Sequence, residues 1–115
     1  MPIRIKRVYD PPDHRDGTRI LVDRLWPRGL TKEKARVDLW LKDIAPSAEL
    51  RTWFAHDSRK WAEFQRRYRD ELEKNSDQVL RLKRAMAEGI VTLLYGAKDE
   101  KHNEAVVLQA SLTEE

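Results

Sequence analysis

Cysteine is absent from all 115 residues. Its absence excludes a disulfide scaffold, a thiolate zinc site and any group transfer through a sulfur nucleophile. Long apolar runs are missing too. None approaches the ~18 residues of a membrane span, and the opening Met1-Pro2-Ile3-Arg4-Ile5-Lys6-Arg7 lacks the apolar segment of a secretory signal. A cytoplasmic protein with no membrane partner is the expectation. Glycine and proline number only four and five, which leaves no linker-like stretch, and no fixed-period repeat divides the chain, so a single domain over 1–115 is expected. The common hydrolase, NTPase and dinucleotide motifs do not occur, and nothing specifies a cofactor. His14, His56 and His102 lack metal-ligand spacing, so no metal site is expected.

What is present suits one globular core. The chain is 37% charged and 40% hydrophobic, with 23 Lys and Arg against 20 Asp and Glu. At this length folding buries roughly two-thirds of the exposed surface, so the domain can stand without staples. The resulting net charge of +3 favours anionic ligands or weak nucleic-acid contact without demanding either.

Periodicity outlines the elements. Ile3 and Ile5 alternate with Arg4 and Lys6, as on a half-exposed edge strand ended by Pro11-Pro12, and 13–17 is turn chemistry. The run from Arg19 to Trp26 contains a short, continuous apolar stretch bounded by Pro27 and Gly29, which predicts a strand buried on both faces. Thr31 can cap a short helical turn, and alternation over 37–41 suggests a strand, with one helix over 32–43 as the rival. Ser47 is placed to cap a helix running to about Phe54. Trp61, Phe64, Tyr68 and Leu72 form one stripe of a helix opened by Asp57 or Ser58. Ser76 is placed to cap the next helix, Gly89 to end it in a left-handed conformation, and Ile90 to Tyr95 reads as the central strand. Asp99 is placed to cap a last helix carrying Ala105, Val106, Leu108 and Leu112. Strands separated by helices imply an α/β fold: a small, mostly parallel sheet of three or four strands with flanking helices and Rossmann-like layering.

In such sheets ligands collect at the carboxyl ends of the strands. Three segments would deliver charged groups there: Asp23, Arg24 and Arg28; Lys42, Asp43 and Ser47; Lys98, Asp99, His102 and Asn103. An ion at the end of a buried strand costs several kcal/mol unless it is paired or liganded. Asp23 and Arg24 fit an internal ion pair as well as they fit a binding site. Arg28, between Pro27 and Gly29, would present its guanidinium from a stiff turn able to grip a carboxylate or phosphate. Small residues in Tyr95-Gly96-Ala97-Lys98-Asp99 let backbone approach a ligand, with Lys98 adding charge. Asp99 suits capping better than proton transfer, whereas His102 could act as acid, base or donor. His102 and Asn103 could equally be ordinary residues of a first helical turn.

The expectation is therefore a site for a small anionic ligand, phosphorylated, nucleotide-like or carboxylate, that is either bound or acted upon. Asp23 and His102 are the candidates for proton transfer, and Arg24, Arg28, Lys42, Ser47, Lys98, Asp99 and Asn103 for ligand contact. Two alternatives stand beside it. Trp26, Trp40, Trp53 and Trp61 lie among basic residues, a mixture suited to stacking on nucleic-acid bases, although large aromatic residues in these contexts more often pack internally. A protein-interaction domain is the other. Nothing in the sequence sets the oligomeric state.

Several segments carry a resemblance. They are Arg7-Val8-Tyr9-Asp10, Leu21-Val22-Asp23-Arg24-Leu25-Trp26-Pro27-Arg28-Gly29, Trp40-Leu41-Lys42-Asp43-Ile44-Ala45-Pro46-Ser47, Leu50-Arg51 with Trp53-Phe54 and His56, and Thr92-Leu93-Leu94-Tyr95-Gly96-Ala97-Lys98-Asp99 with His102-Asn103-Glu104-Ala105. Together they resemble the YeaO-like family of small bacterial proteins and cover nearly the whole chain. The resemblance implies a compact α/β domain standing alone. It brings no catalytic assignment, and Gly96 stands where that family usually has alanine.

Overall fold

The computed structural model describes residues 3–113. Four parallel strands, β1 (Ile3–Arg7), β2 (Thr18–Leu21), β3 (Leu39–Trp40) and β4 (Val91–Tyr95), form one sheet in the order β1-β4-β2-β3. The helices are α1 (Lys32–Ala35), α2 (Ala48–Phe54), α3 (Trp61–Glu73), α4 (Ser76–Glu88) and α5 (Glu104–Thr113). The expected α/β class and parallel sheet are thus what the chain adopts. The apolar β4 is central, paired with β1 on one side and β2 on the other. The alternating β1 is an edge strand.

Alternation through the pleat sends side chains to two unequal cores. Ile3, Ile20, Val22, Val91, Leu93 and Tyr95 pack with Leu50 and Phe54 of α2, the Phe64-Tyr68-Leu72 stripe of α3, Leu82 of α4 and Leu108 of α5. Leu21 and Leu94 face the opposite way, under Val8, Ala35, Trp26, Leu30 and Trp40. The sheet carries a full helical layer on one face and a small cap, built on α1 and the adjoining loops, on the other.

Local chemistry explains where the elements start and stop, and several limits differ from those expected. β2 ends at Leu21 rather than near Trp26, because the chain turns away after the Val22 N–H reaches Leu94 O at 3.1 Å. β3 shrinks to two residues, paired only with β2 at the sheet edge. The helix expected from Asp57 or Ser58 begins as a 3-10 turn over Ser58–Lys60, with Asp57 accepting from Arg59 N. Asn75 holds the position before α4, so Ser76 is its first residue rather than its cap. Gly89 closes α4 at φ 158° and ψ −163°, nearly extended instead of left-handed. Asn103, and not Asp99, caps α5: its Oδ1 accepts from Val106 N at 3.1 Å. Gly17 is required as glycine, since φ is +68° and a Cβ there would collide with the Ile90 carbonyl that Thr18 N needs.

A buried ion network lies around the amino end of β2, with Lys6 of β1 reaching into it. Arg19 is 4% exposed and Asp16 6%. Arg19 pairs with Asp16 and donates to Arg36 O and Ala35 O, while Lys6 reaches Asp16 at 3.2 Å. Every guanidinium nitrogen has a partner, as a buried charge requires.

Candidate functional site

At the opposite end of the sheet a cleft of about 590 Å³ opens over the carboxyl ends of β2 and β4. The turn after β2 supplies Asp23, Arg24 and Arg28; α2 and its end supply Arg51, Phe54 and His56; the segment after β4 supplies Gly96, His102, Asn103 and Glu104. Ala45, Pro46 and Phe64 complete an apolar wall.

Asp23 and Arg24 do not pair with each other. Asp23 Oδ2 accepts the Gly96 N–H at 2.8 Å, and Trp40 Nε1 fixes the Asp23 backbone carbonyl at 2.7 Å. A Cβ on residue 96 would meet Asp23 Oδ2 at 3.1 Å, so the glycine gives this carboxylate its close seat. Glu104 lines the same cleft as Asp23. Burial first, then the neighbouring Asp23 carboxyl, pushes Glu104 well above the ordinary glutamate range.

Arg24 reaches Ala45 O at 3.3 Å and Pro46 O at 3.4 Å, both long, and Asp43 at 4.0 Å. Its Nε is buried without an acceptor. A guanidinium held this weakly can turn toward an anion, and turning relieves the unsatisfied N–H. Arg28 is exposed, and its own carbonyl is tied by Tyr9 OH at 2.9 Å, which anchors the turn while leaving the guanidinium without a partner among the described residues. Arg51 projects from α2 near enough to Glu104 to favour its charged form. Three guanidiniums therefore line the cleft against two acids, Asp23 and Glu104, an excess that attracts anions.

His102 packs edge-on against Trp61, with 5.1 Å between ring centroids, and its Nδ1 lies 2.8 Å from Asp99 Oδ2. The Lys101 backbone N–H, then the His102 ring, hold the Asp99 carboxyl below its usual range. An ionised carboxylate only accepts, so Nδ1 carries the proton in this contact and Nε2 is left as the second ring nitrogen. His56 follows Ala55 with both residues in the left-handed region, at φ 57° and 47°. Non-glycine residues rarely hold that conformation, and two in succession aim the chain sharply back after α2.

The sequence candidates divide. Asp23, Arg24, Arg28, His102 and Asn103 line the cleft. Asn103 is 3% exposed and already spends both amide ends, donating to Asp99 O at 2.9 Å and accepting from Val106. Asp99 serves the cleft indirectly through His102. Lys42, Ser47 and Lys98 are not among the lining residues. Lys42 lies over Trp40, and Ser47 caps α2 while its N–H and hydroxyl bind Glu71 at 2.8 and 2.6 Å. Lys98 is exposed beside the β4 end. Glu104, Arg51 and His56 are the cleft residues to which sequence reasoning assigned no role. Two belong to motifs with an obvious local purpose: an acid opening a helix and a basic residue on a short helix.

The tryptophans are engaged in packing. Trp26 and Trp40 meet edge to face at 5.5 Å, Trp61 stacks on Phe64, and Trp53 lies beneath Lys60 and Arg67. A second groove of about 590 Å³ runs between α3, α4 and α5, with Leu72, Leu80 and Leu112 among residues of both charges. Among the described residues no group of three or more His, Asp or Glu could hold a metal ion, and no helix is long and apolar enough to cross a membrane.

Residues 2–115 match a family model described as the inactive DUF488-N3 subclade. The uncharacterized protein YeaO of Escherichia coli is 45% identical over 108 residues, spanning 94% of this chain and 94% of that protein. The uncharacterized protein Rv3073c of Mycobacterium tuberculosis is 40% identical over 106 residues, spanning 92% of this chain and 89% of its own length. The same figures hold for the uncharacterized protein Mb3100c of Mycobacterium bovis. No solved structure matches.

Proposed function

The chain belongs to the YeaO-like family, in the inactive DUF488-N3 subclade, and from that premise we propose that it binds a small phosphorylated or carboxylate anion in the cleft at the strand ends. The observation that carries this reading is the convergence of Arg24, Arg28 and Arg51 on one cleft whose acids are only Asp23 and Glu104 among its lining residues. Guanidiniums grip planar or tetrahedral oxyanions through paired N–H groups, and none of these three spends its fork on a protein carboxylate closer than 4.0 Å. The description "inactive" favours binding over turnover. Proton transfer by Asp23 and His102 is the second reading, supported by the Asp99–His102 contact, which orients an imidazole at the cleft as a general acid or base requires. A nucleic-acid interface draws less support, because the tryptophans that suggested it are already packed.

Thermal denaturation with phosphate, sulfate and acetate at constant ionic strength tests the proposal. A ligand at 100 times its Kd adds about 2.7 kcal/mol of stability, so phosphate should raise the melting temperature by several degrees. Arg28→Ala should change the unliganded melting temperature little, within about 0.5 kcal/mol, yet weaken the anion at least about tenfold. Arg28→Lys should restore only part of the loss, since lysine cannot form the bidentate fork. Melting temperatures unmoved by all three anions would remove the reading.

A further inference from the structure

We infer that the anion's carbon skeleton carries free hydroxyl groups, as a sugar phosphate does, and that Asp23 and Glu104 recognise them; the inference rests on the anion-binding reading above. The cleft has two chemically distinct sides. Arg24, Arg28 and Arg51 offer only donors, whereas the acid pair offers mainly acceptors. Of the acceptor sites on Asp23, one is taken by the Gly96 N–H. A carboxylate has about four lone-pair positions, so acceptor capacity remains and points to a partner that donates. A phosphate placed on the acid pair would meet like charge, which drives the oxyanion to the guanidiniums and leaves the pair for another part of the same ligand.

Two donor classes could satisfy the pair, hydroxyl and ammonium. An ammonium would enter a space where three guanidiniums already outnumber the two acids, and its own charge would be repelled. A hydroxyl brings the N–H-like donor without that cost, and its oxygen can accept from a neighbouring guanidinium in return. The volume, about 590 Å³, lies within the range of small-molecule sites and exceeds what a bare phosphate fills. Ala45, Pro46 and Phe54 along the wall suit the apolar faces of a sugar better than a fully charged ligand. Asp23 is held rigidly enough to discriminate: its carboxylate is fixed by Gly96, and its backbone by Trp40.

Calorimetric titration of the intact chain with methyl phosphate, ribose 5-phosphate and phosphoethanolamine separates this inference from the reading beneath it. Ribose 5-phosphate is expected to bind at least about tenfold more tightly than methyl phosphate, the gain a hydrogen bond to a charged acceptor supplies. Phosphoethanolamine should not exceed methyl phosphate. In Asp23→Asn, which keeps an oxygen for the Gly96 N–H, the ratio of ribose 5-phosphate to methyl phosphate affinity should collapse toward one. If methyl phosphate binds and ribose 5-phosphate binds no better, the hydroxyl inference falls while the anion site stands. If phosphoethanolamine wins, the acid pair reads ammonium and the inference falls in that form. If none of the three binds, both the inference and the anion reading are overturned.

Discussion

Glu104 holds its proton more tightly in the folded chain than in the unfolded one, and this sets the sign of its effect on stability. Because its carboxyl is pushed upward by burial and by Asp23, the stability linked to that proton is fully present below the ordinary glutamate range. It is lost progressively as pH rises toward the folded value. Glu104→Gln supplies an N–H donor to Asp23 with no titrating proton. Its melting temperature relative to the unaltered chain should therefore climb as pH rises above the ordinary glutamate range, with no gap below it. Parallel melting curves across that range would show that Glu104 titrates normally. None of this was visible in the sequence, where an acid in the first turn of a helix is explained by the helix dipole alone. The shift of Glu104 depends in part on Asp23, which follows another strand, β2. Asp23 and Arg24 themselves were legible as an abrupt switch from apolar to charged residues; what they bind was not, because either partner choice satisfies that pattern.

At the scale of elements, the segments that position the cleft were mostly readable. The alternation of β1, the apolar β4 and the Trp61-Phe64-Tyr68-Leu72 stripe each report burial through one period, and burial is what folding enforces. Element ends were less readable, because they depend on tertiary hydrogen bonds. Asp99 and Asn103 both fit a capping position locally, and the choice falls on Asn103 because its amide spans Asp99 O and Val106 N at once. Asp99 is thereby freed to hold the 100–102 turn and the His102 ring. Asn103→Ala should cost about 1–3 kcal/mol, combining the lost cap with a buried carbonyl or N–H left unsatisfied. Chemical denaturation measures this. Asn103→Asp, which keeps the cap acceptor, should recover part of the loss, whereas equal losses in both variants would mean that the Val106 contact contributes nothing.

Across the whole molecule the two ends of the parallel sheet are specialised in opposite ways. Around the amino end of β2, Asp16 and Arg19 form a closed set that Lys6 of β1 joins through Asp16. Burial opposes ionisation of Asp16, but the Asp13 backbone N–H with the Arg19 and Lys6 side chains outweighs it and holds the carboxyl below its usual range. At the carboxyl end the guanidiniums are left open, one of them with a buried N–H lacking an acceptor. A structural role satisfies its charges internally, and a binding role keeps them available, so this asymmetry is the physical basis of the account.

Backbone amide chemical shifts recorded during titration with inorganic phosphate decide whether the open end takes the anion. Saturable shifts confined to residues 23–28, 51–56 and 96–104 are expected, with the α3–α4–α5 groove and the Lys6–Asp16–Arg19 network unaffected. Shifts centred on that groove, or none at saturating phosphate, would place no anion in the cleft.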